Sequence, residues 1–156
     1  MLKQLYIDIC GKLHIGIGNV KFFLLIVVDF SRYSTIYCLS SKDEALKYFK
    51  EFKLASKNTH NLRVRSIRCD NAPEFIKGDF KQFTKECGIT FEKTVPGSPQ
   101  QNGVAEHHNY TFNNMCHAML LDADLSDWFW PLAIQTAVHI KNRLPHKALP
   151  PPCFAL

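Results

Sequence analysis

The chain has no C-x-x-C pair, no internal repeat, no recognisable linker and no apolar run long enough to cross a membrane. Each absence excludes something. Its six cysteines (Cys10, Cys38, Cys69, Cys87, Cys116 and Cys153) are scattered, which argues against a zinc knuckle and for free thiols over a disulfide framework. No signal-peptide pattern is seen, so an intracellular, reducing compartment is expected. The longest strictly apolar run, FFLLIVV from Phe22 to Val28, is far short of the roughly 20 residues that a spanning helix needs. No membrane partner is expected. Without repeats or linkers, 156 residues suit one domain with a substantial core, assigned to residues 1–149, with 150–156 as a loose C-terminal tail.

What is present is a globular composition, 46% hydrophobic and 21% charged, with a formal net charge of +5. That charge mildly favours an anionic partner and is too weak to identify one. LYIDIC (Leu5 to Cys10) reads as a short strand with Asp8 among apolar neighbours. Val20 to Val28 reads as a strand buried on both faces, and STIYCLS as a third strand closing a meander. Ser41 and Glu44 have capping-box spacing before a helix running to about Ser56. RVRSIRC is a fourth strand that delivers Asp70. A helix marked by Phe80, Phe83 and Cys87 stops near Gly88, and ITFEK is a fifth strand. After the loop TVPGSPQQNG, a long helix has Val104, His108, Phe112, Met115 and Met119 on one face. A last helix starts near Trp130 and ends before Pro145. The fold class is α/β, with a mixed sheet of about five strands.

Three carboxylates stand out among the 14 acidic residues. Asp8 and Asp70 sit in or at the end of apolar strands, where an unpaired carboxylate is costly to bury. On neighbouring strands they would repel, and the remedies are a shared proton, a salt bridge or a divalent cation. A bland alternative reads Asp70-Asn71 as a turn signal and Asp8 as a paired core acid. Glu106, at the loop-to-helix change, adds a third oxygen donor. The set then suits Mg²⁺ or Mn²⁺, and the chemistry needing it is two-metal phosphoryl transfer.

The segments YIDICG, VVDFSRY, RCDNAPEF, SPQQNGVAEHHN and FWPLAIQTAVHIKNRLPHKAL together resemble the catalytic core of integrases from copia-type retrotransposons. Thirty-five residues lie between Asp70 and Glu106, the interval of the family's D,D,35-E signature. The resemblance implies a ribonuclease H-like fold, a five-stranded mixed sheet flanked by helices. It implies Asp8, Asp70 and Glu106 as catalytic residues holding two Mg²⁺ or Mn²⁺ ions. It further implies DNA as partner and substrate, homo-oligomers, a nuclear location, and 3′-end processing followed by strand transfer. The loop from Pro96 to Asn102 would approach DNA, with Gln100, Gln101, Asn102, Asn109, Tyr110, Asn113 and His117 as DNA-binding candidates.

The sequence also departs from the family. Copia-type cores usually read close to VAERxNRT and MAR here, with arginines at the positions of His107, Tyr110 and His117. Neutral histidine and tyrosine lack arginine's permanent, bidentate grip on phosphate. Gly97 stands in place of tyrosine, and NAPEF in place of NGGEY or NGGEF. The alternative function is therefore a decayed, catalytically inactive remnant that binds DNA or self-associates. Other residues read structurally. His107 and His108 point about 100° apart and do not chelate one ion. His108 is a core or interface histidine, Asp29 a turn acid and Glu74 a surface acid. Lys77, Lys81 and Lys85 read as a solvated stripe, with DNA contact as the alternative, and Trp128 and Trp130 as packing residues near the last helix, with a dimer interface as the alternative for one of them.

Overall fold

The computed structural model describes residues 4–60, 63–70, 72–76, 78–93 and 103–145. Five strands form one sheet: β1 (Gln4–Cys10), β2 (Phe22–Val28), β3 (Ser34–Leu39), β4 (Ser66–Cys69) and β5 (Thr90–Lys93). Their order is β3-β2-β1-β4-β5, antiparallel across the β1–β2–β3 meander and parallel from β1 through β4 to β5. The mixed sheet expected from the sequence is therefore present. β4 begins at Ser66, three residues later than RVRSIRC suggested, because its parallel ladder to β1 extends only from Gln4↔Ser66 to Ile7↔Cys69.

The helices fall on both faces. α1 (Ala45–His60), α2 (Pro73–Ile76) and α3 (Gly78–Glu86) lie on one, while α4 (Gly103–Asp122) and α5 (Trp130–Lys141) lie on the other. β2 shows why its sequence is continuously apolar. Leu24, Ile26 and Val28 enter the α1 side, and Phe23, Leu25 and Val27 the α4 side. On β1, Leu5 and Ile7 join the first core and Tyr6 the second. Alternation then turns Asp8 and Cys10 toward α4.

Local signals account for several boundaries. Ser41 and Glu44 form the capping box, on a 3₁₀ turn (Lys42–Glu44) that leads into α1, and α1 continues past Ser56 to His60. Gly88, at φ +66°, ends the α3 segment in the left-handed region where glycine carries no Cβ penalty. α2 is an element the sequence reading missed. Pro73 opens it as a first-turn proline, and Lys42 Nζ bonds Glu74 Oε1 at 2.5 Å. That ammonium holds the Glu74 carboxyl below its usual range, against some desolvation.

The buried side of α4 differs from the expected one. His108 and Phe112 are buried as expected, but their companions are Ala105, Asn109, Cys116 and Leu120; Val104, Met115 and Met119 are half-buried at the edge. Val104, Met115 and Met119 still pack against the core, so the buried side is rotated from the expected one and overlaps it. The small residues Ala105 and Cys116 occupy the packed seam with α5 and the sheet. Trp130 is buried and packs its ring 6.2 Å from Phe23, as expected of a packing residue, whereas Trp128 is 49% exposed, which leaves it the interface alternative. Its chain position in a 3₁₀ turn (Asp127–Phe129) just before α5 points it outward.

Candidate active site

The β1–β4 ladder ends at Ile7↔Cys69, so Asp8 and Asp70 are the next residues along two adjacent parallel strands. They lie at the strands' C-terminal ends, where open α/β sheets place their ligands. Both are half-buried. Opposite them, Glu106 occupies the first turn of α4 and is exposed. The three acids predicted to cooperate are thus brought to one end of the sheet.

Their electrostatics are coupled. The Asp8 carboxyl is raised from 3.8 to about 6, first by burial and next by the charge of Asp70. The Ile9 amide pulls it down, Glu106 pushes it up again, and a hydrogen bond from Asn109 lowers it slightly. Asn109 Nδ2 donates to Asp8 Oδ2, so this buried amide, grouped with the DNA contacts in the sequence reading, is committed to the first carboxylate. The other end of the amide, Asn109 Oδ1, is buried with no hydrogen-bond partner among the described residues. Asp70 Oδ1 accepts from the Ala72 amide at 3.2 Å, an Asx turn. The turn reading of Asp70 and its place beside Asp8 hold together.

Among the described residues, no three His, Cys, Asp or Glu side chains are grouped closely enough to hold a metal. The expected convergence on a common point is not formed. Glu106 is exposed, while Asp8 and Asp70 are half-buried. The donor chemistry nevertheless fits a hard divalent ion. A half-buried carboxyl raised by two further carboxylates is relieved by positive charge. The nearby thiols are soft donors that a hard ion does not favour; burial and the two aspartates push Cys69 up to about 12, and burial also raises Cys10.

The remaining candidates separate. Tyr110 is exposed on α4. Asn113 Nδ2 lies 3.8 Å from Cys10 Sγ, and Asn113 and His117 open onto a cavity of about 460 Å³ walled by Cys116, Leu120, Trp130 and Ile134. Gln100, Gln101 and Asn102, the Pro96–Asn102 loop, Gly97, Lys77 and the 150–156 tail lie outside the described residues. His108 is a core histidine as expected, 4% exposed, with Nδ1 3.0 Å from Ser34 Oγ. Asp29 is a turn acid paired with Arg32 at 3.2 Å. Among the described cysteines, all five are free. No helix among the described residues is long and apolar enough to cross a membrane.

Comparison with known proteins agrees with this arrangement. The chain is 36% identical over 146 residues to the retrovirus-related Pol polyprotein from transposon TNT 1-94 of Nicotiana tabacum, covering 93% of this chain and 11% of that protein. It is 28% identical over 144 residues to the corresponding polyprotein from transposon RE2 of Arabidopsis thaliana, covering 92% and 10%. The chain therefore spans about a tenth of the length of these relatives. Among solved structures, the integrase catalytic core domain of HTLV-2, in complex with magnesium in a trimeric form, superposes with a TM-score of 0.64 at 20% identity. It covers 92% of this chain and 87% of that one. A simian T-cell lymphotropic virus intasome, in complex with PP2A regulatory subunit B56 gamma, gives a TM-score of 0.71 at 18% identity, covering 92% and 49%. Both likenesses identify the ribonuclease H-like fold. A sequence model described as the integrase core domain matches residues 2–99, a span that contains Asp8 and Asp70 and stops short of Glu106. The chain belongs to the integrase core domain family, and its curated relatives are Pol polyproteins of copia-type retrotransposons.

Proposed function

We propose that this chain is a polynucleotidyl transferase core that cuts and joins DNA during retrotransposon integration, with Asp8, Asp70 and Glu106 as its catalytic, metal-holding residues. The observation that carries this reading is the juxtaposition of Asp8 and Asp70 at the ends of adjacent parallel strands, with Asp8 raised to about 6 under the added influence of Glu106. Two Mg²⁺ or Mn²⁺ ions held there would supply activation of the attacking oxygen and charge stabilisation at the leaving one.

The chain's own residues have distinct parts. Asp8 is the fixed member, held by Asn109, and Asp70 is steadied by its bond from the Ala72 amide. Glu106 is the adjustable member, since an exposed side chain in a helix's first turn can swing toward the aspartates. The reaction is attack by water on a phosphodiester near the element's end, which breaks a P–O3′ bond and frees a 3′-hydroxyl. That hydroxyl then attacks a target phosphodiester and displaces its 3′-oxygen. DNA is the partner, with Gln100, Gln101, Asn102, Tyr110, Asn113 and His117 as contacts and Asn109 as the positioning residue. Exposed Leu121, Leu125 and Trp128 around the α4–α5 corner suit self-association, and chromosomal DNA as target implies a nuclear location.

The decayed-remnant reading keeps one observation in its favour: exposed His107 and Tyr110 stand where copia-type cores carry arginine. A Mn²⁺-dependent nicking and strand-transfer assay on an element-end oligonucleotide decides between them. Asp70→Asn and Glu106→Gln are each expected to lose about a hundredfold or more of the activity. Activity unchanged in either variant removes the triad assignment. An inactive wild-type chain that still binds Mn²⁺ makes it a remnant.

A further inference from the structure

On the face of the sheet away from the carboxylates, four cations converge. Lys50, Lys53 and Lys57 follow one another on one side of α1, and Arg63 lies just beyond it; all four line a cavity of about 480 Å³. Its apolar part is Leu54, Val64, Phe83 and Cys87. The ammonium groups of Lys50 and Lys53 lie 4.8 Å and 5.4 Å from the centroid of the same Phe83 ring, which draws the two charges to one place.

Nothing described offsets this charge. Among the described residues lining the cavity none is acidic. Of its sequence neighbours, Glu51 lines nothing there, and Glu86 accepts a hydrogen bond from Gln82 at 3.0 Å. The ion pairs among the described residues engage His14, Arg32, Lys42 and Arg68, none of these four. A concave surface with one sign of charge focuses its field and draws a counter-ion. Between two of the lysines, Leu54 is 60% exposed, a large apolar side chain ringed by cations.

Cations around an apolar floor match a nucleotide: phosphates for the rim, a base or sugar for the floor. A pure polycarboxylate such as poly-glutamate meets the rim alone, and a duplex keeps its bases stacked inside. We infer that this cavity binds single-stranded nucleic acid, with phosphates on Lys50, Lys53, Lys57 and Arg63 and one base or sugar against Leu54. The inference rests on the integrase reading only in choosing nucleic acid as the polyanion. The cavity lies across the sheet from Asp8 and Asp70, so it holds a stretch of strand other than the one being cut.

Fluorescence anisotropy of the 156-residue chain with a labelled oligo-dT, in EDTA and over a salt series, tests it. Lys50→Ala/Lys53→Ala is expected to weaken binding about tenfold and flatten the log–log salt slope by about 1.4 units. Lys81→Ala/Lys85→Ala, with the same loss of charge on the exposed face of α3, is expected to bind within about twofold of wild type. Leu54→Ser is expected to lose affinity with the slope unchanged, separating the apolar contact from the ionic one. Equal effects from the two lysine pairs overturn the inference, as does equally effective competition by poly-glutamate or by duplex of the same length. Asp70→Asn is expected to bind like wild type in this assay, so failure of the catalytic reading leaves the result interpretable.

Discussion

His108 and Asn109 are adjacent, both buried, and sit in opposite kinds of polar environment. On the His108 side, the ring meets Ser34 Oγ at 3.0 Å, and the Ser34 backbone is clamped by Asn142. Its N–H donates to Asn142 Oδ1 at 2.9 Å, and its carbonyl accepts from Asn142 Nδ2 at 2.8 Å. This knot ties the start of β3 to α4 and to the residue that caps α5. On the Asn109 side, the amide steadies Asp8 while its own oxygen has no partner among the described residues, and the Asp8 carboxyl is raised to about 6. The first cluster is a finished structural joint. The second has unmet demand for positive charge and hydrogen-bond donors, as expected of a site completed by something it binds.

The contrast can be broken at several points. The largest expected effect on stability is at the satisfied joint: Asn142→Ala strands a buried N–H and a buried C=O, costing about 3 kcal/mol. For a chain of this size that is a fall in Tm of roughly 6–12 °C, read by thermal melting. At the unmet site the sign reverses. The Asp8 carboxyl is raised to about 6 from 3.8, so folding is penalised once the group ionises. That penalty is absent below about pH 3.8 and full above about pH 6. Asp8→Asn is therefore expected to stabilise the metal-free chain at pH 7 by on the order of 1–3 kcal/mol. Denaturant melts of the two proteins should converge as the pH falls toward 4; equal stability at pH 7 would show that Asp8 carries no strain.

Asn109→Ala sharpens the comparison at a smaller scale. It removes one hydrogen bond and one orphaned oxygen together, so its stability cost is expected to stay below about 1 kcal/mol. A cost equal to that of Asn142→Ala would mean that the two clusters are alike after all. The smallest structural effect belongs to the exposed face of α4. Tyr110→Arg and His117→Arg should leave the melting curve unchanged while steepening the salt dependence of duplex binding by about 0.9 unit each. No change in slope would remove these two positions from the DNA surface.

Much of this was legible in the chain. Asp8 and Asp70 were marked by their apolar surroundings, because a carboxylate in a buried strand needs a reason. The strands around them followed from β-branched runs, and Gly88 and the Ser41–Glu44 box marked helix boundaries through local backbone chemistry. α2 escaped because four residues opened by a proline carry too little periodicity to read. The roles of Asn109 and of the lysine cavity escaped for another reason: Asn109 reaches Asp8 across 101 positions of chain, and Phe83 gathers Lys50 and Lys53 from another helix.

The sequence by itself determined the α/β architecture and the two-sided burial of β2, since patterning and local propensity act over a few residues. It also carried the order and spacing of the three acids. Tertiary structure alone decided that β1 and β4 are neighbours in parallel register, which puts Asp8 and Asp70 side by side. It also decided which side of α4 is buried. Those outcomes depend on how separate elements share one core: the seam that Ala105 and Cys116 form on α4 exists only once the sheet and α5 close on it.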